Sequence, residues 1–206
     1  MYVHADIYDQ FVPSFAAAVP RMRLGAGYDY AAADMGSLLS QAQLEKVRAH
    51  VADAVARGAT VLAGGNPRPD LGPYFFEPTV LTDVTGEMVV CTEETFGPVV
   101  SVYRYTDTDE VVAQANASPY GLNASIWTGN PRRGRRLATR LKAGTVNIND
   151  GYAASYGTID APMGGMKASG VGRRHGREGL LKYTESQTVA VRSALAEKLQ
   201  TPGTDG

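Results

Sequence analysis

A single cysteine, Cys91, among 206 residues excludes an internal disulfide and fits a reducing compartment. The three histidines, His4, His50 and His175, are scattered, so they and that thiol assemble no zinc-type ligand set. No apolar run approaches the roughly 18 residues that a membrane-spanning helix needs. The opening Met1-Tyr2-Val3-His4-Ala5-Asp6 carries neither a basic nor an apolar stretch of the signal-peptide kind. A net charge of -1 gives no electrostatic reason to expect nucleic acid or an anionic membrane as partner. Asn116 and Asn123 each begin an Asn-Ala-Ser sequon, but no secretory signal accompanies them. A cytoplasmic protein is the default expectation.

What is present is ordinary for a globular chain: 44% hydrophobic and 20% charged residues, enough to bury a sizeable core in one domain. Apolar residues Ile7, Phe11, Val12 and Phe15 have helical spacing. Ser40 with Gln43 three residues on forms a capping-box pattern, followed by Leu44, Val47, Val51 and Val55 on one face and a stop at Gly58. Thr60 to Ala63 reads as a short buried strand, Tyr74 to Val84 as extended, and Val99 to Tyr105 as a strand. A helix over Asp109 to Ala117 directs Val111, Val112 and Ala115 inward, and Leu122 to Thr128 is a strand. Asn130 and Pro131 suit the N-cap and first position of a helix running through Leu137 and Leu141 to Gly144. A strand follows at Thr145 to Asn149, then a helix over Gly176 to Tyr183 and an extended Thr188 to Arg192. The alternation predicts an α/β fold with a mostly parallel sheet, flanking helices and right-handed crossovers. The last residues, 193–206, are expected to form a flexible tail.

Glu94, in Glu93-Glu94-Thr95-Phe96-Gly97-Pro98, sits in a loop before a strand. A carboxylate there can accept hydrogen bonds from both hydroxyls of a ribose, and Phe96 can pack against an aromatic base. The same residues also read as a surface acidic turn with Phe96 dipping into the core. Cys91 is a poor nucleophile candidate because the neighbouring carboxylates of Glu93 and Glu94 oppose thiolate formation. Gly170-Val171-Gly172 with Gly176 is one residue too long for a dinucleotide loop, and no strand precedes it. The basic run Arg132, Arg133, Arg135, Arg136, Arg140 and Lys142 lacks interleaved aromatics and reads as a solvated helix face. His4 and His50 lie on helical patterns and are expected to cap or face solvent.

Glu93 to Pro98 and Pro162-Met163-Gly164-Gly165-Met166-Lys167-Ala168-Ser169-Gly170, in that order and separated by a strand–helix–strand pattern, resemble the C-terminal part of the aldehyde dehydrogenase superfamily. The resemblance runs from Tyr2-Val3 to about Arg192. Gly64-Gly65, Tyr74-Phe75, Pro78-Thr79-Val80, Tyr120 to Ser125 and Gly144 to Asn147 look most like the actinobacterial type of succinate-semialdehyde dehydrogenase. The resemblance implies that the complete enzyme oxidises a small aldehyde, succinate semialdehyde being one candidate, to a carboxylic acid. It does so by thiolate attack, hydride transfer to NAD or NADP, and hydrolysis of a thioester. By the same resemblance Glu94 holds the nicotinamide ribose, Phe96 lies near the ring, and Asn149, Tyr152, Tyr156 and Met163 are candidate walls of the aldehyde pocket. Many relatives have Phe in place of Met163, and the loop before it looks a few residues longer here.

The resemblance also implies that the family's nucleophilic cysteine, general-base glutamate, oxyanion donor and cofactor-binding domain match no part of these residues. The expectation is a partial catalytic domain over 1–192, with an oligomerisation strand near 184–192 and no catalytic residue of its own. Such a chain is expected to bind NAD or NADP only weakly and to be inactive alone. It would form a homo-oligomer or pair with another aldehyde dehydrogenase chain. The alternative is a non-catalytic interaction module that assembles with such a chain. An independent hydrolase using Cys91 or a serine has no recognisable base to support it.

Overall fold

The computed structural model describes residues 1–26, 32–151, 153 and 157–191. Tyr152, Tyr156, Arg192 and the expected tail at 193–206 lie outside the described residues. The chain divides into two compact units, Met1–Ser118 and Pro119–Gly206.

The first unit begins with strand β1 (Tyr2–His4) and helix α1 (Ala5–Ala18). His4 caps this helix, its Nδ1 accepting from the Asp6 amide at 3.3 Å, as one of the two expectations for it had it. The helix buries Val12 with Tyr8 and Phe15 packed alongside, whereas Ile7 and Phe11 are exposed. The buried stripe is therefore turned by about one residue from the predicted face. Helix α2 (Gln41–Ala56) is capped by Ser40, whose side chain accepts from the Gln43 amide. It buries Val47, His50, Val51 and Ala54, leaving Val55 exposed. Arg57 and Gly58 then end the helix, with Gly58 in the left-handed region at φ 102°.

Strands β2 (Thr60–Ala63), β3 (Thr79–Thr82) and β4 (Val99–Ser101) form one sheet in the order β2-β3-β4. Central β3 is buried along its whole length, and alternate residues serve opposite faces. Val80 joins Val3, Val12, Val19, Ala63 and Val102. Its neighbour Leu81 joins Ala54, Ala59, Val84 and Met88. The expectation of a buried β2 is corrected: Thr60, Val61 and Leu62 are exposed because β2 is an edge strand, antiparallel to β3, with a register shift between Val61 and Ala63.

A short helix α3 (Val89–Thr92) precedes β4, and β5 (Tyr103–Tyr105) pairs in parallel with β1. Helix α4 (Thr108–Ala117) buries Val111 and Val112. Its cap is Asp107, whose Oδ1 accepts from the amides of Asp109 and Glu110 at 2.6 and 3.0 Å. Asp107→Ala is expected to lower the stability of the first unit by about 1 kcal/mol, measured as a shift in urea midpoint.

In the second unit, β6 (Tyr120–Gly121) pairs antiparallel with β9 (Met166–Lys167), and β7 (Asn123–Ile126) pairs in parallel with β8 (Thr145–Ile148). Helix α5 (Pro131–Ala138) has Asn130 as N-cap, accepting from Arg132 and Arg133 amides. It stops at Ala138, short of the predicted Gly144. Helix α6 spans Gly176–Leu181. Three of the five ladders among the described residues are parallel, as the alternation predicted, and the five ladders are distributed over four small sheets. The extended Thr188 to Val191 joins no ladder among the described residues, and Val189 and Val191 are exposed. No helix of the described residues is long and apolar enough to cross a membrane.

Candidate functional site

The loop from Glu93 to Pro98 is built on one face of α2. Gln43 donates through Nε2 to the carbonyl oxygens of Thr95 and Phe96, at 2.6 and 2.8 Å. Its side chain is therefore committed to this loop. Val47 lies beneath Gly97, where an added Cβ would come within 2.3 Å of Val47 Cγ2. His50 Nδ1 is 3.1 Å from Thr95 Oγ1, and its Nε2 stands 3.8 Å from a Glu93 carboxylate oxygen. Asp53 continues the same stripe: Oδ2 accepts from the Val89 amide at 2.9 Å, giving α3 the cap that Met88 does not supply. Positions 43, 47, 50 and 53 are spaced by four, three and three, so they fall on one side of a helix.

The strand side fixes the other end of the loop. The Thr79 amide donates to the Pro98 carbonyl at 2.7 Å, and Thr79 Oγ1 in turn accepts from the Gly65 amide at 2.9 Å. Held this way, Glu93 and Glu94 are exposed, and Phe96 is 74% exposed. Phe96 also sits at φ 48°, a left-handed conformation that is uncommon for a residue with a side chain and marks a functional candidate. The reading in which Phe96 dips into the core is thus corrected: the loop points its ring outward because Gln43 holds its carbonyl inward.

Gly97 shows how tightly this mount is made. Gly97→Ala is expected to cost about 1–3 kcal/mol through overpacking against Val47, and the double variant Val47→Ala with Gly97→Ala to regain part of that loss. Thermal denaturation of Gly97→Ala, Val47→Ala and the double variant measures both effects. Losses that simply add in the double variant would show that Val47 is not the obstacle.

Electrostatics on this face follow from burial and neighbours. His50 is buried, which pushes its pKa below the usual histidine value, and Lys46 acts in the same direction. Glu93 and Asp53 oppose that shift. His50 was expected to cap or to face solvent; the structure corrects this, since the helix turns it under Thr95. Asp53 is held below the ordinary carboxylate range by its bond with Arg57 and by the Val89 amide. Cys91, at the end of α3, is exposed. Burial, followed by its hydrogen bond with Cys91, pushes the nearby Tyr103 phenol well up.

In the second unit, Asn149 ends β8 at φ 56°. Its Oδ1 accepts from the Thr128 amide at 2.7 Å, and its own amide donates to Ile126 at 2.8 Å. The side chain thereby extends the β7–β8 ladder by one rung. Met163 is buried and forms a two-way backbone bridge with Arg174, at 2.7 and 2.6 Å. Arg174 Nη2 lies 3.9 Å from its sulfur. The remainder of that motif folds back on the chain: Ser169 Oγ accepts from the Gly121 amide at 2.9 Å. Tyr152 and Tyr156 lie outside the described residues. Among the described residues no group of three or more His, Cys, Asp or Glu side chains is placed to hold a metal ion.

The residues that carry Glu94 and Phe96 were not recognised from sequence. Gln43 read as a cap, Val47 as core and His50 as a cap or a solvent-facing residue, and each lies 45 to 53 positions from its hydrogen-bonded loop partner where it has one. Their shared helical stripe was legible; the segment it faces was not.

Comparison with known proteins bears on both units. A family model described as aldehyde dehydrogenase family matches residues 1–189. A Mycobacterium tuberculosis H37Rv protein, provisionally named succinate-semialdehyde dehydrogenase [NADP(+)] 2, is 58% identical over 190 residues, covering 92% of this chain and 36% of the relative. A betaine aldehyde dehydrogenase of Brucella anthropi is 39% identical over 194 residues, 93% of this chain and 39% of the relative. Among solved structures, the NAD+ complex of Bacillus cereus aldehyde dehydrogenase superposes with a TM-score of 0.82 at 43% identity, covering 89% of this chain and 36% of that one. Succinate-semialdehyde dehydrogenase from Burkholderia pseudomallei gives 0.80 at 40% identity, with 88% and 37% covered. The chain thus spans little more than a third of the length of the relatives it matches.

Proposed function

This chain belongs to the aldehyde dehydrogenase family, and on that premise we propose that it supplies one wall of a nicotinamide-dependent aldehyde oxidation site. The observation that carries this reading is the loop from Glu93 to Pro98, anchored on α2 and β3 while Glu94 and Phe96 remain exposed. An exposed carboxylate beside an exposed ring fits a ribose and its attached heterocycle: the first accepts from vicinal hydroxyls, the second packs on an aromatic face. NAD or NADP, when bound, supplies the hydride acceptor. Glu94 would orient the sugar, and Phe96 would limit the positions open to the ring.

Asn149 and Met163 are proposed as aldehyde-pocket residues, together with Tyr152 and Tyr156. A small aldehyde such as succinate semialdehyde is the proposed substrate, on the names borne by the mycobacterial and Burkholderia relatives. The 206-residue chain taken by itself is proposed to be inactive. Its one thiol, Cys91, precedes two carboxylates, whereas a reactive thiolate needs a positive neighbourhood. It would act together with an aldehyde dehydrogenase segment that carries the nucleophile and the dinucleotide-binding fold. A second reading, a non-catalytic module that assembles with such a chain, is favoured by the exposed Trp127, Tyr183, Val189 and Val191.

The experiment is complementation. The purified chain is assayed for succinate-semialdehyde-dependent NADPH formation alone, and again after mixing with the upstream two-thirds of a mycobacterial relative. No turnover alone and turnover in the mixture, lost in Glu94→Ala, is the expected result. Turnover by the chain alone that disappears in Cys91→Ala would overturn the reading. A mixture that assembles but stays inactive would favour the module.

A further inference from the structure

The support beneath the loop contains a titratable group that nothing in the proposed chemistry requires. His50 is 5% exposed, on the same stripe of α2 as Gln43 and Val47, and it meets the loop through a single hydroxyl. Gln43 holds the carbonyls of Thr95 and Phe96 from one side. His50 holds the Thr95 side chain from below. We propose that His50 is a positioning residue for Glu94 and Phe96, acting through Thr95, and that it does so as the uncharged imidazole.

The geometry distinguishes the two charge states. In the neutral ring one nitrogen accepts and the other donates, so Nδ1 can accept a hydrogen bond from the Thr95 hydroxyl while Nε2–H is directed towards Glu93. At 3.8 Å the Glu93 carboxylate is beyond hydrogen-bond range. Protonation turns both ring nitrogens into donors. The Thr95 hydroxyl must then reverse its role, and the new charge draws Glu93 inward from its exposed position. Glu93 adjoins Glu94, and Thr95 adjoins Phe96, so either movement is passed directly to a proposed cofactor contact. Lys46 and Asp53 from α2 and Glu93 from the loop are the charged groups acting on the ring. Burial and Lys46 outweigh the two carboxylates and keep it neutral below the ordinary histidine range.

A ring whose folded pKa lies below its unfolded value stabilises the fold at higher pH, and that contribution is lost as pH falls from the ordinary value of 6.5 through the depressed one. Loss of loop order should accompany it in the same window.

The inference rests on Glu94 and Phe96 being cofactor contacts only for its consequence in turnover; the positioning itself is read on the chain alone. A pH titration of the isotope-labelled 206-residue chain by NMR follows the His50 ring and the amides of Thr95, Phe96 and Gly97. The expected result is one shared midpoint below 6.5 for ring and amides, with Val80 and Leu81 unmoved. His50→Asn, whose amide can reach the position of Nδ1 without titrating, should keep the loop shifts near wild type and flatten their pH dependence. His50→Ala should displace them at every pH. Loop amides that ignore the His50 midpoint, or that titrate unchanged in His50→Asn, overturn the proposal. In the complementation assay, His50→Ala should raise the KM for NADP about fivefold with kcat little changed, the effect of losing one hydrogen bond's worth of positioning. A loop that follows His50 by NMR beside an unaltered KM would leave the positioning intact and count against Glu94 and Phe96 as cofactor contacts.

Discussion

Gly144→Ala is expected to prevent the second unit from folding. A Cβ at this position would stand 1.6 Å from the carbonyl oxygen of Gly164 and 2.8 Å from its carbonyl carbon. Neither side can give way easily. The Gly144 amide donates to Gly121 at 2.9 Å just before β8, and Thr145 donates to Leu122 at 3.1 Å. Across from it, Gly164 is itself hemmed in by the Gly172 carbonyl, 2.4 Å from where its own Cβ would be. Overpacking against a flexible side chain costs about 1–3 kcal/mol, so an obstacle made of backbone should cost at least about 3 kcal/mol. Loss of dispersed NMR signals from Pro119 onward measures it. Gly129→Ala, with no atom within 4 Å of the added carbon, is the control. A Gly144→Ala chain as stable as that control would mean that these segments do not pack as described.

Phe76→Ala should have the second large effect, about 3–5 kcal/mol of stability in the first unit. The ring is 1% exposed and packs with Val47 and Val51 of α2, with Leu44, Leu38 and Val99 at the margin. Removing it leaves a cavity directly under the helix that mounts the Glu93–Pro98 loop. Phe96→Ala makes the informative contrast. Its ring is 74% exposed, so stability should change by no more than about 0.5 kcal/mol. Turnover in the complementation assay should nevertheless fall. The pair of variants separates what holds the loop up from what the loop presents, by chemical denaturation for the first and kinetics for the second.

The parts of this fold that were legible in the sequence are those decided locally. Ser40 and Asn130 cap their helices because their side chains reach amides two or three residues away. Val111 and Val112 turn inward on a short helix with few alternatives. Where a neighbour distant in sequence decides, the reading failed. Thr60 to Leu62 looks like a buried strand by composition, but whether a strand lies at the centre or the edge of a sheet is set by what pairs beside it. His50 is a polar residue on a helix, and its bond with Thr95, 45 positions away, helps to make its burial tolerable. Ile7 and Phe11 fit the helical period as well as Tyr8 does, and the seat provided by Val3, Ala63, Val80 and Val102 selects between them.

The candidate site was legible to a different degree. Its motifs were visible as strings of residues, and the structure explains why such strings are specific. Tyr120-Gly121 pairs with Met166-Lys167 inside the nonamer, Asn123 to Ser125 pairs with Thr145 to Asn147, and Thr79 accepts from the Gly65 amide while its own amide donates to Pro98. Several of the segments that carry the family resemblance thus hydrogen-bond to one another. Several of their glycines stand where a Cβ would strike backbone, as at Gly64, Gly121 and Gly165. The α2 stripe that contacts Thr95, Phe96 and Gly97 belongs to no such string, and side chains of common type gave no sign of the partner they serve.

The solitary thiol acquires a practical value from its location. Cys91 is solvent-accessible, lies at the end of α3, and precedes Glu93 by two positions. A maleimide fluorophore would couple there stoichiometrically, with no engineered attachment point and no competing sulfhydryl. Its emission would then register the arrival of a dinucleotide or of a complementing polypeptide at the adjoining loop, in a format suited to stopped-flow mixing.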